Sequence, residues 1–135
     1  MDPIIAEDTL AYVTLSTSRV IEQCRRQTID QTNELRIFSI QDIEKPYQIS
    51  SLSLANPKGL TKLDSVVYVC DDMAGLAVID VSEPLNPNLI NRLEGFTAYD
   101  AIVYRGILLV VGGDAYLQFD VSDPAHPVEL SRINY

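Results

Sequence analysis

Residues 75–87 read GLAVIDVSEPLNP, and residues 115–127 read AYLQFDVSDPAHP. Asp80, Val81, Ser82, Pro84 and Pro87 return as Asp120, Val121, Ser122, Pro124 and Pro127, a shift of 40 residues. Self-similarity at a fixed period in this range means that one supersecondary unit is repeated, and that the units bury their apolar faces on one another. The echo extends upstream. Val66 to Cys70 and Ile107 to Val111 are matching apolar runs, each preceded by a two-residue turn candidate, Asp64-Ser65 and Arg105-Gly106. A degraded first copy is also present. Tyr12-Val13 matches Tyr68-Val69, Leu35 to Ile40 matches Leu76 to Val81, and Pro46 stands where Pro87 and Pro127 stand. Tyr12 and Leu35 lie 23 positions apart where Tyr68 and Leu76 lie 8 apart, so copy one carries an insertion within residues 16–33.

Each copy reads as four short strands, rich in Val, Ile, Leu and Tyr and punctuated by Gly, Pro, Asp and Asn. The predicted strands are 3–7, 9–15, 34–40 and 47–54; 58–63, 66–71, 75–81 and 88–93; and 99–104, 107–112, 115–121 and 128–133. The connections are too short for parallel crossovers, so neighbouring strands pair antiparallel. Arg105-Gly106 and Gly112-Gly113-Asp114 are the expected sources of the positive φ that tight hairpins need. A sheet with one wet face alternates apolar and polar residues. Val66–Cys70, Leu76–Val81 and Ile107–Val111 do not alternate, so they require cover on both faces. Four-stranded sheets stacked face to face around an axis meet that requirement. The fold class is therefore all-β, a β-propeller segment of about three four-stranded antiparallel blades. Blade one spans 1–54, blade two 55–95 and blade three 96–135. A β-sandwich, the other architecture for such strands, predicts cleaner alternation and no repeat at this spacing.

The motif GLAVIDVS at 75–82 followed by a proline pair, with a preceding strand such as Val67-Tyr68-Val69, resembles the LVIVD-repeat family of β-propellers. The layout is also similar to the C-terminal part of Bacteroidetes surface lipoproteins with such repeats. The resemblance implies a cell-envelope or extracellular propeller. It implies little chemistry. Copy one departs from the pattern, with Ser39 and Ile43 where the motif Asp and the first proline belong. Propellers close with about 4–8 blades, so three blades predict either an incomplete propeller or half of an oligomeric ring, with two apolar blade faces left bare. The expected partners are further blades or a protein.

Composition narrows the function classes. The 135 residues carry 10 basic and 19 acidic side chains, a net charge of −9. Such a surface repels nucleic-acid phosphates and anionic membranes. No apolar run approaches the roughly 20 residues of a membrane helix, and the start, Met1-Asp2-Pro3, does not read as a signal peptide. Cys24 and Cys70 are too few for a disulfide framework and lack metal-site spacing. Cys70 reads either as a buried strand residue or as a partner for Cys24 if the insertion folds over.

Candidate site residues follow from propeller topology, which places the loop between the second and third strands of a blade beside the link between blades. That face gathers Arg25 and Arg26 of the insertion, Asn56, Lys58, Asp71, Asp72, Phe96, Tyr99 and Asp114. Arg25-Arg26 suits a carboxylate or phosphate, or is a solvated loop tip. Asp71, Asp72 and Asp114 read as solvated turn acids, since no calcium-loop spacing is present. Asp80 and Asp120 read as turn-fixing acceptors, and His126 as an exposed turn residue, since Cys24 should lie on the other face and a Cys–His pair is disfavoured. No catalytic, metal or cofactor residues are assigned. The leading expectation is a non-enzymatic module that presents its loop-rich face to a protein. Carbohydrate or small-ligand binding, an enzyme and a purely structural set of blades are the rivals.

Overall fold

The computed structural model describes residues 3–17 and 32–135. The insertion's Arg25, Arg26 and Cys24 lie outside the described residues. Twelve strands are described and no helix among them. Blade one holds β1 (Ile4–Glu7), β2 (Leu10–Ser16), β3 (Asn33–Ser39) and β4 (Tyr47–Ser53). Blade two holds β5 (Leu60–Leu63), β6 (Val66–Cys70), β7 (Leu76–Asp80) and β8 (Asn88–Leu93). Blade three holds β9 (Ala98–Tyr104), β10 (Ile107–Gly112), β11 (Ala115–Asp120) and β12 (Val128–Asn134). Each blade is one antiparallel four-stranded sheet with its strands in chain order.

The repeat survives in the backbone where the side chains have diverged. Each blade has a register shift between its third and fourth strands, at Ile37/Phe38, Val78/Ile79 and Gln118/Phe119. Each third strand ends in the same closure, with the amides of Ile40, Val81 and Val121 donating to the carbonyls of Thr9, Ser65 and Gly106. The following turn also recurs, closed by Lys45 N–H to Asp42, Asn86 N–H to Glu83 and His126 N–H to Asp123. Blade one keeps this geometry without the motif Asp or the first proline.

Blade two lies between the other two, and its inner strands are buried on both sides. All five residues of β6 are buried. Val66, Tyr68, Cys70, Leu76 and Val78 enter the core shared with blade three, against Leu108, Val110, Leu117 and Phe119. Val67, Val69, Ala77 and Ile79 enter the core shared with blade one, against Tyr12, Leu35 and Ile37. Successive side chains of a strand point to opposite faces, so one apolar run serves two interfaces. Hydrogen bonds cross the same interfaces: Ser50 Oγ donates to the Pro84 carbonyl at 2.5 Å, Tyr68 Oη to that of Pro124 at 2.7 Å and Asn91 Nδ2 to that of Ala125 at 3.2 Å. Burial pushes the Tyr68 phenol up to about 12, with Asp123 and Asp64 adding to the effect.

Two expectations need correction. The apolar run of β10 is covered on one face only: Leu108 and Val110 are buried, whereas Val111 is 38% exposed and Ile107 and Leu109 are half-buried. No blade stands beyond it among the described residues. The outer face of blade one is not a second bare apolar sheet, because Glu34 and Arg36 pair across it beside Val13 and Phe38. Glycine use also differs. Arg105 and Gly106 both have positive φ, as their turn requires, but Gly112 and Gly113 do not. Gly112 is needed for space, since a Cβ there would lie 2.3 Å from the Thr97 carbonyl oxygen.

Candidate functional site

The loop end of the stack is held by one buried carboxylate. Asp71, at the end of β6, is fully buried. Its Oδ1 accepts the Asn56 amide at 2.7 Å, and its Oδ2 accepts the Ala55 amide at 3.2 Å and Arg92 Nη1 at 2.8 Å. Arg92 also donates to the Ala74 carbonyl at 3.1 Å. One side chain thus ties the blade one–two link, the β6–β7 loop and β8 together. The reading of Asp71 as a solvated, partner-facing acid is corrected: its oxygens are occupied inside the protein. Hydrogen bonds to the charged carboxylate and a paired guanidinium are what make burial of such a group tolerable.

The neighbouring candidates extend this network. Asn56 Nδ2 donates to Asp72 Oδ2 at 2.6 Å, and Ser16 Oγ donates to Asn56 Oδ1 at 2.5 Å. Lys58 donates its amide to the Cys70 carbonyl at 2.7 Å, accepts Thr14 Oγ1 at 2.6 Å on its own carbonyl, and places Nζ 3.9 Å from Asp72. Asp72 and Ala98 exchange backbone hydrogen bonds, and Gly59 N–H donates to the Tyr99 carbonyl at 2.9 Å, so this end also joins blades two and three. Phe96 is half-buried, its ring centroid 5.9 Å from that of Phe119 and 5.7 Å from the Arg132 guanidinium. Tyr99 is 46% exposed and its ring lies against Gly113. Asp114 is exposed, and its carbonyl accepts the Tyr135 amide at 3.1 Å.

Asn56, Lys58, Asp71 and Asp72 therefore come together, with Phe96, Tyr99 and Asp114 toward blade three. Two contributors, Arg92 and Ser16, escaped sequence reasoning. Arg92 sits within an ordinary polar strand, and only tertiary contact gives it Asp71 as partner. Ser16 reaches Asn56 over a 40-residue separation. Met73, in the loop that propeller topology assigns to this face, is 87% exposed at the tip of the loop that Asp71 anchors.

The opposite end is built for turns. Asp80 Oδ1 accepts the Ser82 amide at 2.8 Å and Asp120 Oδ1 that of Ser122 at 2.7 Å. These backbone hydrogen bonds, and then the serine hydroxyls, hold both carboxyls below the usual range. A carboxyl depressed in the native state contributes stability that is complete at neutral pH. That contribution is lost as pH falls from about 5 through the native values. The double substitution Asp80→Asn and Asp120→Asn keeps both acceptors and removes the charge. It is expected to flatten the acid limb of a stability–pH curve by lowering the melting temperature at pH 7, with the variant and the native chain converging at low pH; an identical acid limb would count against this role. His126 is exposed at this end, its Nδ1 2.9 Å from Asp123 Oδ2.

No cluster of three or more His, Cys, Asp or Glu side chains suited to a metal occurs among the described residues. Cys70 is a buried free thiol, and burial pushes its pKa up, with Asp100 and Asp71 adding to the effect. It faces the blade two–three core, away from solvent and from any attacking geometry.

Face-to-face four-stranded antiparallel sheets with their loops gathered at one end define an open, propeller-like all-β stack. Comparison with solved structures agrees. A functionally unknown protein from Desulfotomaculum acetoxidans DSM 771 matches over 94% of this chain with a TM-score of 0.72 at 12% identity, and Kluyvelomyces marxianus Hsv2 matches over 100% with a TM-score of 0.53 at 11% identity. The chain spans 39% and 40% of the length of those two structures. No curated protein matches it. The chain carries two LVIVD repeats, at residues 66–94 and 106–134, one in blade two and one in blade three. No helix among the described residues is long and apolar enough to cross a membrane.

Proposed function

We propose that this chain is a non-enzymatic binding module that presents its loop end to a protein partner at a bacterial cell envelope. The observation that carries the reading is a pair of exposed apolar anchors on a pre-organised base: Met73 is 87% exposed and Tyr99 is 46% exposed. The Met73 loop is fixed by the Asp71–Arg92 and Asn56–Asp72 contacts, and Tyr99 lies in β9 with its carbonyl held by the Gly59 amide. Aromatic anchors contribute disproportionately to interfaces, and rigid loops lose little entropy on binding. Lys58, Asp72 and Asp114 supply a polar rim, and Arg25 and Arg26 are assigned to the same face from sequence alone. The envelope location rests on the family resemblance, as does a lipoprotein or outer-membrane context.

A photo-crosslinking residue placed at position 73 or 99 is expected to give one discrete protein adduct in intact source cells, and one at position 126 none. Tyr99→Ala with the crosslinker at 73, or Met73→Ala with the crosslinker at 99, should reduce that adduct about tenfold, the effect of losing a single interface anchor, without shifting the melting temperature. Equal labelling from positions 73 and 126 would remove the loop end as the binding face.

A further inference from the structure

The outer face of blade three repeats, position by position, the face with which blades one and two hold their successors. Tyr12 pairs with Ile37, Tyr68 with Val78 and Leu109 with Gln118; one step along, Thr14 pairs with Leu35, Cys70 with Leu76 and Val111 with Tyr116. In blades one and two this face is buried under the next blade. In blade three it lines an open groove of about 490 Å³ floored by Ile102, Leu109, Val111 and Tyr116, with Asp100 and Gln118 beside them. The opposite face repeats as well. Ala11 pairs with Phe38 as Val67 does with Ile79 and Leu108 with Phe119; Val13 pairs with Arg36 as Val69 does with Ala77 and Val110 with Leu117.

These registers show what meets what. Leu35 and Ile37 of blade one share a core with Ala77 and Ile79 of blade two. Leu76 and Val78 of blade two share one with Leu117 and Phe119 of blade three. Continuing the series sets Tyr116 and Gln118 of blade three against a blade carrying Arg36 and Phe38. Internal positions in this layer are all apolar. The two terminal faces each exchange one apolar residue for a polar one in that layer, Gln118 where blade two has Val78 and Arg36 where blade two has Ala77. A guanidinium can donate to an amide oxygen and stack on a tyrosine. Arg36 Nε already pairs with Glu34, yet the Arg36 side chain remains 32% exposed. A further repeat feature agrees. Ser50 and Asn91, which pair with Ile37 and Val78, donate to the turn carbonyls of Pro84 and Ala125 in the next blade. Ser131, which pairs with Gln118, stands at the same place in blade three. The equivalent turn of blade one carries Ile43, which is 85% exposed.

We infer that the outer face of blade three docks blade one of a second copy of this chain, so that Gln118 and Tyr116 receive Arg36, and that the two head-to-tail contacts between two copies close a six-bladed ring. Six blades lie within the range in which propellers close, and a heterologous contact that closes makes a ring instead of a filament. This face is separate from Met73 and Tyr99, so the inference stands or falls apart from the proposed binding function.

Sedimentation velocity of the intact chain at micromolar concentration tests it, and the expected species has twice the mass of one chain. Leu109→Arg sets a charge into the groove and is expected to weaken the dimer roughly thirtyfold, the effect of disrupting one hot-spot residue. Gln118→Arg replaces an exposed residue, which preserves folding, and sets like charge against Arg36; it should weaken the dimer to a similar degree. Arg36→Ala should weaken it about tenfold with an unchanged circular dichroism spectrum. A monomer at these concentrations would overturn the inference and reserve the face for a different blade. A dimer indifferent to Arg36→Ala, or an open-ended ladder of masses, would overturn the closed head-to-tail arrangement.

Discussion

Leu76→Ala and Ile79→Ala are each expected to lower folding stability by about 3 kcal/mol, although their side chains leave opposite faces of one strand. Both residues are fully buried, Leu76 toward blade three and Ile79 toward blade one. Truncating a buried Leu or Ile to Ala removes transfer free energy and leaves a cavity, at a cost of about 2–5 kcal/mol. In a sheet with one wet face only one of the two would be costly. Blade three supplies the contrast. Leu117→Ala should cost about as much as Leu76→Ala, because Leu117 is 1% exposed against blade two. Tyr116→Ala, in the monomeric Leu109→Arg background, should cost under about 1 kcal/mol, as surface substitutions do, because Tyr116 is 52% exposed on the outer face. Urea denaturation monitored by circular dichroism measures all four. Equal losses at 116 and 117 would mean that blade three is covered on both sides. A small loss at either 76 or 79 would mean that blade two is not.

The second large effect is expected at Asp71. Asp71→Ala removes the acceptor of the Ala55 and Asn56 amides and leaves Arg92, whose side chain is 21% exposed, without its carboxylate. Breaking a buried pair by deleting one partner costs about 3–5 kcal/mol. Partial exposure of Arg92 moves the expectation to the lower end, about 3 kcal/mol. Replacing both members, Asp71→Ala with Arg92→Leu, should recover part of that loss, since the stranded charge is gone and two unsatisfied amides remain. Amide hydrogen exchange at residues 55, 56 and 74 would locate the damage. Fast exchange confined to those amides with a small global loss would show that the carboxylate orders the loop end without holding the blades. An unchanged melting temperature would deny it either role.

Much of this architecture was legible because strand and turn formation are local. The 40-residue echo of Asp80 and Asp120, the non-alternating run Val66–Cys70 and the turn at Arg105-Gly106 located all three blades, with strand limits differing from those observed by two residues at most. The Asp80 and Asp120 turns were legible for the same reason, since acceptor and donor lie two residues apart. Asp71 was misread because its partners are far off in the chain: Asn56 is 15 residues away and Arg92 is 21. Two adjacent acids at a hairpin look alike in sequence, yet one enters the interior and the other closes a bridge to Ala98. Gly112 was assigned to backbone conformation when its real constraint is the Thr97 carbonyl, a contact across the loop end.

The amino-acid sequence by itself determined the repeat, the strands, their antiparallel pairing and the hairpin turns, because hydrophobic parity and turn chemistry act over a few residues. Only the tertiary structure decided which face of each strand is covered. Ile107–Val111 and Val66–Cys70 carry the same apolar pattern, and one is half wet while the other is dry. The difference lies outside either strand, in whether another blade stands beside it, because burial belongs to the neighbour as much as to the residue.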